Sequence, residues 1–169
     1  MPGLFFDDYE TPVYRPPSEA ESFILRVTRG CAHNHCTYCN MYRGVQFEKL
    51  TDEEIMRQIA MAYSVDRDGV RRVFLADGDA LVLETERLLK ILNTLKKYFP
   101  NLERVASYAA PGDILRKSVE ELTQLREAGL QILYYGMESG DSQTLLHISE
   151  IDYKRFETME ETGLKEGDM

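Results

Sequence analysis

The stretch Arg72-Val73-Phe74-Leu75-Ala76, closed by Asp77-Gly78-Asp79, decides the fold. It reads as a short strand running into a turn of acidic and glycine residues. Helical patterns flank it on both sides. Upstream, Thr51-Asp52-Glu53-Glu54 is a capping box, with Ile55, Ile59 and Ala62 recurring on one helix face. Downstream, Thr85 is positioned to cap a helix whose buried stripe is Leu88, Leu92 and Leu95, with Pro100 beyond its end.

The same alternation continues outward. Ser22 to Val27 reads as a first strand, Arg104 to Tyr108 as a third and Gln131 to Tyr135 as a fourth. Ser118-Val119-Glu120-Glu121 is a second capping box, with Leu122, Leu125 and Ala128 as its apolar face and Gly129 as its stop. Asp141 caps a short helix running through Ile148. Four strand–helix repeats argue for an α/β fold of parallel strands, as a barrel or an open sheet. Ligands in such folds bind at the carboxyl ends of the strands. We divide the chain into an extended lead-in over residues 1–20, a core over 21–149 and an acidic tail over 150–169. Pro12, Pro16 and Pro17 forbid regular helix in the lead-in. The tail carries only the weak stripe Tyr153, Phe156 and Met159, and is expected to form a loosely held helix with a frayed end.

At 169 residues the chain has the length of one domain, and its formal net charge of -9 argues against a broad basic face for nucleic acid. No apolar run approaches a membrane span, and the N-terminus lacks the basic start and apolar middle of a signal peptide. All three cysteines lie in Cys31-Ala32-His33-Asn34-His35-Cys36-Thr37-Tyr38-Cys39, a C-x4-C-x2-C cluster. Clustered cysteines without partners elsewhere fit a reducing cytoplasm, where they bind metal or do redox work.

Three thiolates leave a metal site one ligand short of a closed shell, and an unfilled position can do chemistry. An iron–sulfur cube held at three of its irons would keep the fourth open to a small molecule. Zinc is the rival, with His33 or His35 completing a Cys3His shell. Cys36-Thr37-Tyr38-Cys39 alone also permits a thiol redox site, but that leaves Cys31 unexplained.

The segment from Arg29 to Tyr42 resembles the cluster loop of the radical S-adenosylmethionine (radical SAM) superfamily, which places three cysteines after its first strand and an aromatic residue, here Tyr38, before the last. The commonest spacing in that family is C-x3-C-x2-C, so Cys31 lies one residue further out. Asp77-Gly78-Asp79 loosely matches the family's Gly-Gly-Glu-like turn, and Gly136-Met137-Glu138-Ser139-Gly140 its G-x-E-S-G segment. The resemblance covers roughly residues 22–148. It implies a partial barrel of parallel strands, truncated here to about four βα units where the family usually completes six.

It further implies a 4Fe–4S cluster on Cys31, Cys36 and Cys39, and reductive cleavage of SAM to a 5'-deoxyadenosyl radical, an oxidoreductase-like chemistry with no substrate legible. Gly78 and Asp79 would receive the amino group of SAM and Glu138 would lie near its ribose. Tyr38 would offer its backbone to the adenine, and Ser107 would point to the same rim. An electron donor of the flavodoxin or ferredoxin type is implied. Self-association or a partner chain would cover the open edge left by the absent units. The competing reading is a non-catalytic iron–sulfur or zinc module acting in assembly or sensing.

Overall fold

The structure is a computed structural model and describes residues 13–149; the predicted acidic tail and the first twelve residues of the lead-in lie outside the described residues. The core begins with β1 (Phe23–Arg26), followed by a two-residue β2 (Thr28–Arg29) and β3 (Glu48–Lys49) that pair antiparallel around the cysteine loop. There follow α1 (Asp52–Asp66), β4 (Arg72–Ala76), α2 (Thr85–Tyr98), β5 (Arg104–Tyr108), α3 (Pro111–Leu115), α4 (Val119–Glu127), β6 (Leu130–Tyr134) and α5 (Ser142–Ser149). The main sheet has the order β1-β4-β5-β6, and every pairing in it is parallel. The predicted α/β architecture stands, and the sequential strand order is that of a partial βα barrel.

Local chemistry accounts for most element boundaries. Thr51 accepts from the Glu54 N–H while Glu54 takes the Thr51 N–H, and Ser118 and Glu121 repeat that exchange. These two boxes satisfy orphan donors at the starts of α1 and α4. Gly129 ends α4 at φ +109°, which a side chain would strain. Asp141 accepts from the Thr144 N–H at 2.7 Å, as expected of the cap of α5.

Two expectations change. Thr85 is not a cap: Glu84 occupies that position, and Thr85 opens the first turn with its hydroxyl donating to Glu121 at 2.7 Å. A partner on α4, beyond the reach of local pattern, claims that hydroxyl. β6 begins one residue earlier than predicted, because Val105 pairs with Leu130 but Ala106 pairs with Ile132. The bulge sets Gln131 aside, exposed, and restores alternation beyond it.

One face of the sheet carries Phe23, Leu25, Val73, Leu75, Val105 and Leu130 against the helices, chiefly Ile55, Ile59, Leu88, Leu92, Leu95 and Leu125. Each such side chain, fully buried, contributes about 1.5–3 kcal/mol. The opposite face carries Ile24, Phe74, Ala76 and Ala106, with Tyr108, Ile132, Tyr134 and Val13 of the lead-in packed on them. Phe74 meets the Tyr108 ring edge-on at 5.1 Å.

A carboxylate fastens the lead-in to this face. Glu19 closes a single turn of 3-10 helix (Pro17–Glu19) and is fully buried. It accepts from Arg104 at 2.7 Å, from the Tyr134 hydroxyl at 2.7 Å and from Ser22 at 2.5 Å. Burial alone would raise its pKa; the hydrogen bonds from Arg104, Ser22 and Tyr134 outweigh that and hold it below the ordinary value.

Candidate functional site

Because β1, β4, β5 and β6 run parallel, their carboxyl ends share one edge, and the loops that follow them meet there. The cysteine loop leaves β1 on that edge. The β2–β3 ribbon pins its two ends, with Thr28 opposite Lys49 and Arg29 opposite Glu48. Asn34 turns the chain at φ +46° and donates from Nδ2 to the Tyr42 carbonyl at 3.0 Å. Asparagine tolerates that conformation better than most residues, and the wide Cys31–Cys36 spacing accommodates the turn. Tyr42 is buried beneath the loop, its ring edge-on to Tyr14 at 5.6 Å.

Cys31, Cys36 and Cys39 are all free and half-buried. Burial pushes the Cys36 thiol up, a Tyr38 hydrogen bond opposes this, and the charges of Cys31, Cys39 and Glu138 push it up further. Three thiolates beside a carboxylate repel one another until a cationic centre joins them, and soft sulfur donors suit iron–sulfur clusters or zinc. Among the described residues no group of three or more His, Cys, Asp or Glu side chains is gathered tightly enough to hold a single metal ion. His33 and His35 instead face each other edge-on, 5.7 Å between ring centroids.

Three further segments close on the loop. The turn after β4 lies directly against it: a Cβ on Gly78 would sit 2.8 Å from both Cα and Cβ of Cys31. Only glycine allows that approach. The segment after β6 arrives through Glu138, which is exposed and holds φ +54°. The Tyr38 hydroxyl lies near the Glu138 carboxylate and Cys36; loss of water around the ring and then those neighbours raise its pKa. Helix α5 ends on the loop, where the Ile148 carbonyl accepts the Thr37 N–H at 2.8 Å and the Thr37 hydroxyl at 3.1 Å.

The remaining predicted site residues stand differently. Asp79 is buried, and its carboxylate accepts from the N–H groups of Leu81 at 2.8 Å and Ala110 at 2.9 Å. Burial pushes its pKa up to about 6 against those two bonds. It ties the β4 turn to the segment after β5. Ser107 is opposite Leu75 in the pairing and shares its helix-facing side, while Ala106 and Tyr108 face the other way. Its hydroxyl donates to the Tyr108 carbonyl at 2.6 Å. The pleat therefore places Ser107 on the helix-facing side of β5, near the carboxyl end of that strand.

Several contributors escaped the sequence reading: Asn34, Thr37, Tyr42 and Arg26, whose guanidinium pairs with the buried Asp77 carboxylate at 2.7 Å. Arg26 carried a signal, since a cation in the apolar run Phe23-Ile24-Leu25-Arg26-Val27 demands a buried partner.

Fold and site together define a class: an α/β protein presenting three thiols at the carboxyl edge of a parallel sheet. The chain belongs to the radical SAM superfamily, whose family model matches residues 25–163. That makes it a protein of radical SAM type, in a family of enzymes that typically bind a 4Fe–4S cluster and SAM. It is also similar, 83% identical over 24 residues, to a polyribonucleotide nucleotidyltransferase of Phocaeicola vulgatus. That match covers 14% of this chain and 3% of the relative's length. So short a match carries no fold or activity across. Among the described residues no helix is long and apolar enough to cross a membrane.

Proposed function

We propose that the chain is a radical SAM enzyme, or the N-terminal catalytic part of one. Cys31, Cys36 and Cys39 ligate a 4Fe–4S cluster, and Glu138 with the Gly78 turn holds SAM. The chemistry this pair supplies when bound is one-electron cleavage of the sulfonium, giving methionine and a 5'-deoxyadenosyl radical. The chain's own residues position and shield. Gly78 brings its backbone close to Cys31, where its carbonyl can accept from a polar substituent of a ligand. Glu138 offers a carboxylate to ribose hydroxyls from the side of the loop. Tyr38 keeps that carboxylate beside Cys36. Buried Phe74, with the half-buried rings of Tyr108 and Tyr134 packed on it, limits water on that face of the sheet.

One observation carries this reading: the thiol loop, the Gly78 turn and Glu138 arrive together at the carboxyl edge of four parallel strands. A flavodoxin- or ferredoxin-type donor is the proposed source of the electron. Anaerobic reconstitution with iron and sulfide, followed by dithionite and SAM, tests the proposal. The expected outcome is broad visible absorption with about four irons per chain and release of 5'-deoxyadenosine. Stoichiometric zinc without that absorption defeats the cluster assignment. A full cluster with no SAM cleavage favours a non-catalytic module.

A further inference from the structure

We infer that Asp77 is a positioning residue that fixes Cys31 in place before any metal arrives, leaving Cys36 and Cys39 to adjust. The inference concerns the apo chain; describing Cys31 as a ligand rests on the reading above.

Arg26 is 4% exposed and Asp77 is fully buried. Arg26 donates from Nε at 2.9 Å and from Nη2 at 2.7 Å, both to Oδ2 of Asp77. The Gly30 N–H donates to the same oxygen at 3.2 Å. Gly30 then accepts the Gly78 N–H on its carbonyl at 3.1 Å. Two cross-bonds thus join the pair Gly30–Cys31 to the pair Asp77–Gly78, one through a side chain and one through backbone. Gly78 closes against Cys31, leaving no room for a methyl group between them.

The pair is itself held from behind. Gln58 of α1 accepts the Arg26 N–H and donates to the Arg26 carbonyl, each at 2.9 Å. A continuous path, buried at Arg26, Asp77 and Gly30, therefore runs from helix α1 to Cys31. The other oxygen of Asp77, Oδ1, is buried without a hydrogen-bond partner, so Oδ2 alone carries these bonds. Among the described residues the other two thiols have no such tie to the sheet. Cys39 N–H bonds within the loop to the Cys36 carbonyl at 3.3 Å, and Thr37 between them is tied to α5. One thiol is anchored to the sheet; two travel with the loop.

The test uses the 169-residue apo chain, reduced and anaerobic, with iodoacetamide as probe and site-resolved mass spectrometry as readout. Rates are compared on the plateaus of their pH profiles, where every thiol is ionised. The three thiols have similar exposure. In the parent chain Cys31 is expected to react about tenfold more slowly than Cys36 and Cys39, because local opening must precede attack. In Asp77→Asn the Cys31 rate is expected to rise about fivefold or more, with the other two changed by less than about twofold. A parallel rise of all three thiols, or none, overturns the inference. Should Asp77→Asn lack a cooperative melt, hydrogen exchange on the parent chain decides. The Gly30 amide is expected to exchange far more slowly than those of Ala32 to His35, and equal rates overturn it. No metal enters either measurement, so its failure is separate from any failure to build a cluster.

Discussion

Replacing Glu19 by glutamine probes how the lead-in is held across the sheet. The carboxylate is fully buried and takes donors from Arg104, Tyr134 and Ser22, while Arg104 is only 19% exposed. Glutamine keeps one acceptor oxygen, presents an NH2 to groups that are themselves donors, and removes the carboxylate charge in contact with the guanidinium. Breaking a buried pair from one side costs about 3–5 kcal/mol. The shape retained by glutamine and the partial exposure of Arg104 place this case at about 3 kcal/mol. For a chain of this size that lowers the melting midpoint by about 6–12 °C. The sign with pH follows from the depressed pKa of Glu19. Its contribution is complete above the unfolded carboxyl value of about 4.3 and is lost as pH falls through the lower folded value. Calorimetry of parent and variant from pH 7 down to pH 3 should therefore show a gap that is wide at neutrality and narrows in acid. The difference isolates Glu19 from other carboxylates that titrate in both proteins. Midpoints within about 1 °C at pH 7, or a gap that stays constant in acid, would refute the reasoning.

The remaining predictions concern the site edge. Asp79 should titrate with a midpoint of about 6 by carbon NMR of its carboxyl group. Its elevated value means that the stability it contributes is full below the ordinary carboxyl range and declines as pH rises through about 6. Gly78→Ala should destabilise the apo chain by about 1–3 kcal/mol in urea, since its new methyl meets backbone and side chain of Cys31. Reconstituted iron should fall in the same variant. Glu138→Gln should leave iron content unchanged while weakening SAM about tenfold by calorimetric titration, the worth of about 1.4 kcal/mol; unchanged affinity would remove Glu138 from the nucleoside site.

What the sequence could reveal depended on how local each determinant is. The boxes at Thr51 and Ser118 are complete within four residues, and the strand of Arg72 to Ala76 is bounded by its own turn. Such features were legible. Thr85 was misassigned because its hydroxyl answers to Glu121, 36 positions away. The β2–β3 ribbon is two residues wide on each side and gives no periodic signal. Short α3 was equally silent, its Pro111 start resembling a loop. At the site, the three cysteines and Glu138 were legible as residue types in motifs. The strand face that Ser107 takes depends on pleat parity, and the enclosure of Asp79 on donors from Leu81 and Ala110. Neither can be read without knowing which strand lies next to which.

Thr37 grips a single carbonyl at Ile148 with both its amide and its hydroxyl, across 111 positions of chain. The thiol loop and the final described helix are consequently hinged as one mechanical body. Any rearrangement that draws Cys36 and Cys39 inward must pull on α5, so a dye on solvent-facing Leu146 would act as a remote gauge of whether the loop is empty or filled.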